Sequence, residues 1–195
     1  MKICAILLAA GLSRRMNTDK LLLKYKNKLL LQYSVDLLET LPADERIIVT
    51  TNARLKSIVL PLNIEVAINP LPQAGQSESI RVGINFAKTE HTHFIFLAAD
   101  QPLLTKADIV PLLEAANANR EKIVFPVINS KPSSPTIFPV RFKSELLCLQ
   151  GDSGGREIRD SNCESCFEVI TQNPMNFKDF DTVEDIAGEE SHDII

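Results

Sequence analysis

Short, unbroken apolar runs alternate with helical patterns from one end of the chain to the other, and few architectures accept that arrangement. Residues 3–8 read Ile-Cys-Ala-Ile-Leu-Leu. Such a run suits a parallel strand covered on both faces, because a strand with one wet face would alternate apolar and polar side chains. Further strands are expected at residues 46–51, 64–68, 93–98 and 122–128, with short late ones at 136–138 and 167–170. Helical spacing fills the gaps. Leu30, Tyr33, Leu37, Leu38 and Leu41 share one face of a helix over 30–41. A second helix is expected over 77–88 with Ser77 as its N-cap, and a third over 105–117, where Thr105 and Asp108 have capping-box spacing. Shorter helical pieces are read at 53–59, 141–149, 154–159 and 182–190. Pro126 lacks an N–H, so its strand is expected at an edge or a bulge. Alternating β and α segments with short connections predict an α/β fold, a doubly wound, mainly parallel sheet with helices on both faces. No linker, repeat or low-complexity tract breaks the pattern, so residues 1–195 are read as a single domain.

Composition then removes several classes. The 195 residues are 45% hydrophobic, too many for a disordered chain and enough to build a core. Basic residues number 21 against 25 acidic, and a net charge of −4 gives no broad positive field for nucleic acid. No apolar run approaches the ~18 residues of a membrane span. The first ten residues have the apolar character of a secretion signal. Arg14, Arg15 and Lys20 follow without a polar cleavage region, however, so the segment is read as a buried strand of a cytoplasmic protein. Four cysteines are too few for a disulfide scaffold. Cys163 and Cys166 form a lone C-x-x-C pair with neither a second pair nor a nearby His to complete a zinc site. His91 and His93 are read as solvated residues ahead of a strand, pointing to the same side.

Ligands of such sheets sit beyond the carboxyl ends of the strands, which directs attention to two segments. Leu8-Ala9-Ala10-Gly11-Leu12-Ser13-Arg14-Arg15-Met16-Asn17-Thr18-Asp19-Lys20 follows the first strand. Small residues let backbone N–H groups approach a phosphate, and the basic side chains add charge. Neither a Walker loop nor a G-x-G-x-x-G fingerprint is present, and a solvated basic loop is the plain alternative. Asp100, in Ala98-Ala99-Asp100-Gln101-Pro102, ends an apolar strand. It suits either a Mg²⁺ ligand bridging to substrate phosphates or the cap of the next turn.

These segments resemble the L-A-A-G-x-S-x-R-M-x-x-x-K and D-Q-P motifs of the MobA-like nucleotidyltransferases, particularly the molybdenum-cofactor cytidylyltransferases. The resemblance continues in Gly75-Gln76-Ser77-Glu78-Ser79-Ile80-Arg81-Val82-Gly83, in Gly151-Asp152-Ser153-Gly154-Gly155-Arg156, and in Asp179-Phe180-Asp181-Thr182-Val183-Glu184-Asp185. Order and spacing agree over nearly the whole chain. Gly151 to Gly155 also spell the G-D-S-G-G of trypsin-like proteases, but no suitable histidine precedes them and the βα alternation is wrong for that fold.

The resemblance implies a Rossmann-like nucleotidyltransferase fold and a role for each matched position. Leu8, Ala9, Ala10 and Gly11 would surround the base and ribose of a nucleoside triphosphate, with Gly75 and Ser79 lining the base pocket. Ser13, Arg15 and Lys20 would bind the triphosphate. Asp100 and Asp181 would hold Mg²⁺, and Asp152 and Arg156 would approach the acceptor. The implied reaction transfers CMP from CTP to the phosphate of a phosphorylated pterin, the molybdopterin cofactor, with a molybdoenzyme as recipient of the product. Two positions depart from the family pattern. Asn17 stands where glycine is usual, and Ser134 replaces the histidine of a G-H-P-like segment, which bears on the acceptor more than on the nucleotide. The alternatives are a guanylyltransferase using GTP, disfavoured by Leu12 in place of a second glycine, a non-catalytic nucleotide- or cofactor-binding protein, and a NAD-dependent reductase, disfavoured by the missing dinucleotide fingerprint.

Overall fold

A computed structural model describes residues 1–11, 20–52, 62–88, 90–182 and 184–186. Its strands are β1 (Ile3–Ala9), β2 (Lys24–Tyr25), β3 (Lys28–Leu29), β4 (Glu45–Thr50), β5 (Glu65–Ile68), β6 (His93–Ala98), β7 (Ile123–Ile128), β8 (Lys131–Pro132), β9 (Thr136–Pro139) and β10 (Cys166–Ile170). The described α-helices are α1 (Leu30–Thr40), α2 (Gln76–Phe86), α3 (Lys106–Ala118), α4 (Lys143–Cys148) and α5 (Arg156–Ser161).

One sheet organises the molecule. Its order is β10-β7-β9-β6-β1-β4-β5, with β8 also paired to β7. β9 runs antiparallel to β6 and β7, and β8 antiparallel to β7, while every other pairing is parallel. β1 lies between β4 and β6, where Ala5 is in register with both Arg46 and Ile95. The alternation of side chains along β1 then decides which helix each residue meets. Ile3, Ala5 and Leu7 share a core with Val35 and Leu38 of α1 and Ile109 and Leu112 of α3. Cys4 and Ile6 belong to the opposite core with Ile80 and Ile84 of α2 and Leu146 of α4. Gly83 lets α2 pack close to the sheet, since a Cβ there would come 2.7 Å from Ile6 Cγ2. Both faces are therefore covered, as the apolar runs predict. No helix among the described residues is long and apolar enough to cross a membrane.

Several local expectations need correction. β7 is not an edge strand, because β9 lies on one side of it and β10 on the other. Pro126 is tolerated because pairing on the β9 side is interrupted between Val124 and Val127, where the Pro126 carbonyl still accepts the Ser133 N–H at 2.9 Å. Ser77 is not the N-cap of α2. Gly75 occupies that position, and the Ser77 N–H donates to the Gly151 carbonyl at 3.1 Å. His91 and His93 are both buried: His93 opens β6 with its ring bonded to the Arg120 carbonyl, and His91 packs beside Glu45 and Phe94. The β2–β3 hairpin was not foreseen. Its tight turn puts Lys26 and Asn27 at φ 45° and 64° without the glycine that usually announces such a turn. The helical reading at 53–59 lies outside the described residues. Of the late helix expected over 182–190, Thr182 is a bend and 184–186 are helical, and the rest lies outside the described residues.

Candidate active site

The ends of β1 and β6 open onto a crevice with two adjoining cavities. The smaller, about 290 Å³, is lined by Leu8, Ala10 and Gly11 from the end of β1, by Gly75 and Ser79 at the start of α2, and by Asp100 after β6. The larger, about 710 Å³, extends past Ser134, Arg156, Arg159 and Asp179. Asp100 and Asp152 line both, so they stand at the boundary. A site with two compartments meeting at carboxylates can hold two reactants side by side.

Close backbone packing builds the smaller cavity. Gly75 has φ 90°, and a Cβ on it would fall 2.4 Å from the carbonyl carbon and oxygen of Gly151. The start of α2 and the Gly151–Asp152 loop are thereby pressed together, which places Asp152 at the cavity wall. Ser79 is oriented by the buried Asn69, whose Nδ2 donates to the Ser79 hydroxyl at 3.0 Å.

An acidic corner forms around Phe180, which is fully buried and is flanked in the chain by Asp179 and Asp181. Its ring meets Tyr25 edge-on at 5.3 Å, and its N–H donates to the Asp100 carbonyl at 2.8 Å. This backbone bond brings Asp179 and Asp181 beside Asp100, eighty residues away in sequence. Lys20 Nζ donates to Asp100 Oδ2 at 2.8 Å and to Asp181 Oδ1 at 2.9 Å. Burial disfavours charge on Lys20, but attraction to Asp100 and the hydrogen bonds to both carboxylates outweigh it and hold its pKa above the ordinary value. Asp179 keeps contact with solvent, yet lost hydration, followed by repulsion from Asp100, pushes its pKa up to about 6. Gln101 braces the corner. Its Nε2 donates to the Phe177 carbonyl at 3.0 Å, and its Oε1 accepts the Ser134 hydroxyl at 3.1 Å. Ser134 is thus tied to the segment that follows β6.

The expected site residues are largely brought together. Leu8, Ala10, Gly11, Gly75, Ser79, Asp100 and Asp152 share the smaller cavity, and Arg156 lines the larger. Lys20 and Asp181 join through Asp100. Ala9 is packed into the core beside them and does not line either cavity. Ser13 and Arg15, along with Arg14 and Asn17, lie outside the described residues. Two residues of the site had no role assigned from the sequence. Asp179 carried a signal, the D-x-D spacing around a buried aromatic. Arg159 sits one helical turn after Arg156; it is buried, lies 5.0 Å over the Phe125 ring and pairs with Asp160 at 2.7 Å. As a donor set, Asp100 and Asp181 offer only carboxylate oxygens converging on one cation, Lys20, which fits a hard divalent ion such as Mg²⁺.

A mainly parallel sheet with a crevice beyond its strand ends is the arrangement in which α/β proteins of the doubly wound class bind their ligands. The chain belongs to the MobA-like NTP transferase family, whose domain profile matches residues 5–166. Solved structures agree in fold. Rv0371c from Mycobacterium tuberculosis H37Rv is 22% identical over 98% of both chains, with a TM-score of 0.79, and a structure of it in complex with manganese gives 0.74 at 21% identity over 96% of this chain and 97% of that one. A nucleotidyl transferase from Methanothermobacter thermautotroptrophicus is 18% identical over 98% of this chain and 97% of its own, with a TM-score of 0.80. A 4-diphosphocytidyl-2C-methyl-D-erythritol synthase from Anaerococcus prevotii DSM 20548 is 13% identical over 98% and 97%, with a TM-score of 0.76. Among curated proteins, none matches the sequence.

Proposed function

We propose that this nucleotidyltransferase moves CMP from CTP to the phosphate of the molybdopterin cofactor, as one cytoplasmic domain spanning residues 1–195. The observation that carries the reading is the boundary at Asp100 and Asp152, where a base-sized cavity bounded by Leu8, Ala10, Gly11 and Gly75 adjoins a larger one bounded by Arg156. A phosphate oxygen of the pterin attacks the α-phosphorus of CTP. The bond from that phosphorus to the oxygen bridging to the β-phosphate breaks, and pyrophosphate leaves. The nucleophile is already anionic near neutral pH, so alignment and charge neutralisation dominate the barrier and no general base is required. Both buried histidines lie outside the crevice, which agrees with that chemistry.

In this reading Gly11 and its neighbours offer backbone N–H groups to the nucleotide, and Ser79, oriented by Asn69, faces the base. Lys20 keeps its proton at neutral pH and, with Arg15 and Ser13, meets the triphosphate. Asp152 and Arg156 position the pterin phosphate. Mg²⁺ held by Asp100 and Asp181 would neutralise charge on the α-phosphate.

Pyrophosphate release with CTP, GTP, ATP or UTP, each with Mg²⁺ and molybdopterin, tests the reading. Turnover is expected with CTP, and Asp100→Asn is expected to lower it by ~10²-fold or more, the size of a lost charge-stabilising group in the transition state. Preferred turnover of GTP would assign the guanylyl activity instead, and stabilisation by CTP without pyrophosphate release would make the chain a binder. Near-normal turnover of Asp100→Asn would reject the metal role.

A further inference from the structure

At the opposite end of the sheet from the crevice, three ligand-type side chains meet in the core. Cys4 is the second residue of β1. Glu45 opens β4 and is in register with Cys4, and His91 lies two residues ahead of β6, the strand that flanks β1 on its other side. All three residues are buried, and the Cys4 sulfur, a Glu45 carboxylate oxygen and a His91 ring nitrogen lie within 4.8 Å of one another. The His91 Nε2 to Glu45 Oε2 distance is 3.3 Å. The proposed transfer reaction uses none of them.

We propose that Cys4, Glu45 and His91 form a structural binding site for a transition-metal ion of the Zn²⁺ class. One thiolate, one carboxylate and one imidazole suit a borderline-soft ion and do not suit Mg²⁺ or Ca²⁺, which take oxygen ligands. Tetrahedral bonds of about 2.0–2.3 Å place such ligand atoms about 3.3–3.6 Å apart. The His91–Glu45 separation already has that value, and the Cys4 sulfur lies within 4.8 Å of both. A cavity of about 320 Å³, lined by His91, Glu90, Phe94 and Lys143 among others, leads to the imidazole. Neither Cys4 nor Glu45 lines it, so it meets the cluster on the imidazole side alone.

Both Glu45 oxygens accept the Lys88 N–H at 3.1 Å, which fixes the carboxylate where it faces His91. Binding of a divalent ion displaces the Cys4 thiol proton to solvent, and thiolate plus carboxylate then cancel its two charges. The ion would pin β1, β4 and the approach to β6 to one another.

The test uses the full chain with Cys148, Cys163 and Cys166 replaced by Ser, so that Cys4 is the sole thiol. Co²⁺ is the probe, added without oxygen. Expected are a thiolate-to-cobalt charge-transfer band that saturates at one ion per chain and is displaced by Zn²⁺, and a Tm rise of about 5–10 °C when Zn²⁺ stands ~100-fold above its Kd. Losing even a residue that only hydrogen-bonds to a ligand commonly weakens metal binding ~10-fold, so His91→Gln should weaken it at least that much. Cobalt held by the crevice carboxylates gives no thiolate band. A folded protein without the band, or a band and affinity unchanged in His91→Gln, would overturn the proposal. X-ray absorption of the zinc-loaded, unmutated chain provides a second reading. One sulfur with nitrogen and oxygen neighbours supports the site, whereas no sulfur, or two sulfurs from the Cys163–Cys166 pair, refutes it.

Discussion

Lys20 carries the electrostatics of the acidic corner. Its ammonium answers Asp100 and Asp181 at once, and removing it leaves two carboxylates facing one another. The Asp181 side chain is 47% exposed, so solvent screens that half of the arrangement and its share of folding stability is small. Lys20→Ala is therefore expected to cost at most ~1 kcal/mol of stability while lowering kcat/KM for nucleotide ~10-fold or more. Urea unfolding and steady-state pyrophosphate release measure the two effects separately, and wild-type kcat/KM in the variant would remove Lys20 from the machinery. His93 makes a different residue-scale prediction. Burial lowers its pKa, although its ring bonds to the Arg120 carbonyl at 3.0 Å. In the unfolded chain the imidazole takes up a proton near its ordinary pKa of 6.5; in the folded chain it does so only at lower pH. Stability from this group is thus present above pH ~6.5 and lost as the pH falls below it. The urea midpoint should drop between pH 7.5 and 5.5, and less so in His93→Phe. An identical drop in that variant would assign the effect elsewhere.

At the scale of elements, the caps and turns hold the site's walls. Asp108 Oδ2 accepts the Thr105 N–H at 2.9 Å, the Thr105 hydroxyl at 2.6 Å and Asn176 Nδ2 at 2.9 Å. One carboxylate thus caps α3 and ties it to the segment leading into Asp179. Asp108→Ala loses the cap and leaves those donors unmatched, so a loss of ~2 kcal/mol in chemical denaturation is expected. Gly75 joins two elements by lacking a side chain. Gly75→Ala places a Cβ 2.4 Å from Gly151 backbone atoms at a φ that L-residues avoid, and the two loops must part. The expected result is ~2 kcal/mol of destabilisation together with a raised KM for the nucleotide. A variant as stable as the parent would show that the close approach is not required. The capping box at Thr105 and Asp108 was legible in the sequence because its partners are three residues apart. The N-cap of α2 was not, because Gly151, which receives the Ser77 N–H, is more than seventy residues distant. A nearby serine was the locally reasonable choice, and a tertiary contact displaced it.

For the whole molecule, the C-terminal segment completes the site through Phe180. That ring is fully buried with Tyr25, Leu30 and Ile186 in a small satellite core, and its N–H is bonded to the Asp100 carbonyl. Phe180→Ala should cost ~3 kcal/mol and also lower activity, because Asp179 and Asp181 lose the anchor that sets them beside Asp100. Equilibrium unfolding and pyrophosphate release would check both, and a destabilised variant with unaltered turnover would separate the anchor from the chemistry.

The alternation of apolar runs and helical periods by itself determined the α/β class, the mainly parallel sheet and every strand of the large sheet except the two-residue β8, because burial of a strand's side chains leaves a local signature in its run. The motifs also placed Leu8, Gly11 and Asp100 at strand ends, where ligands of such sheets bind. Strand order, the antiparallel β9 and the interior place of β7 came only from the tertiary structure, since periodicity records how a strand is covered and not which strands lie beside it. The same limit explains His91 and His93. Their polarity suggested solvent, but the packing of β1, β4 and β6 buries them and gives His91 a carboxylate partner. The pairing of Lys20 with both Asp100 and Asp181 was likewise decided in three dimensions, by a buried phenylalanine whose backbone N–H reaches the carbonyl of Asp100.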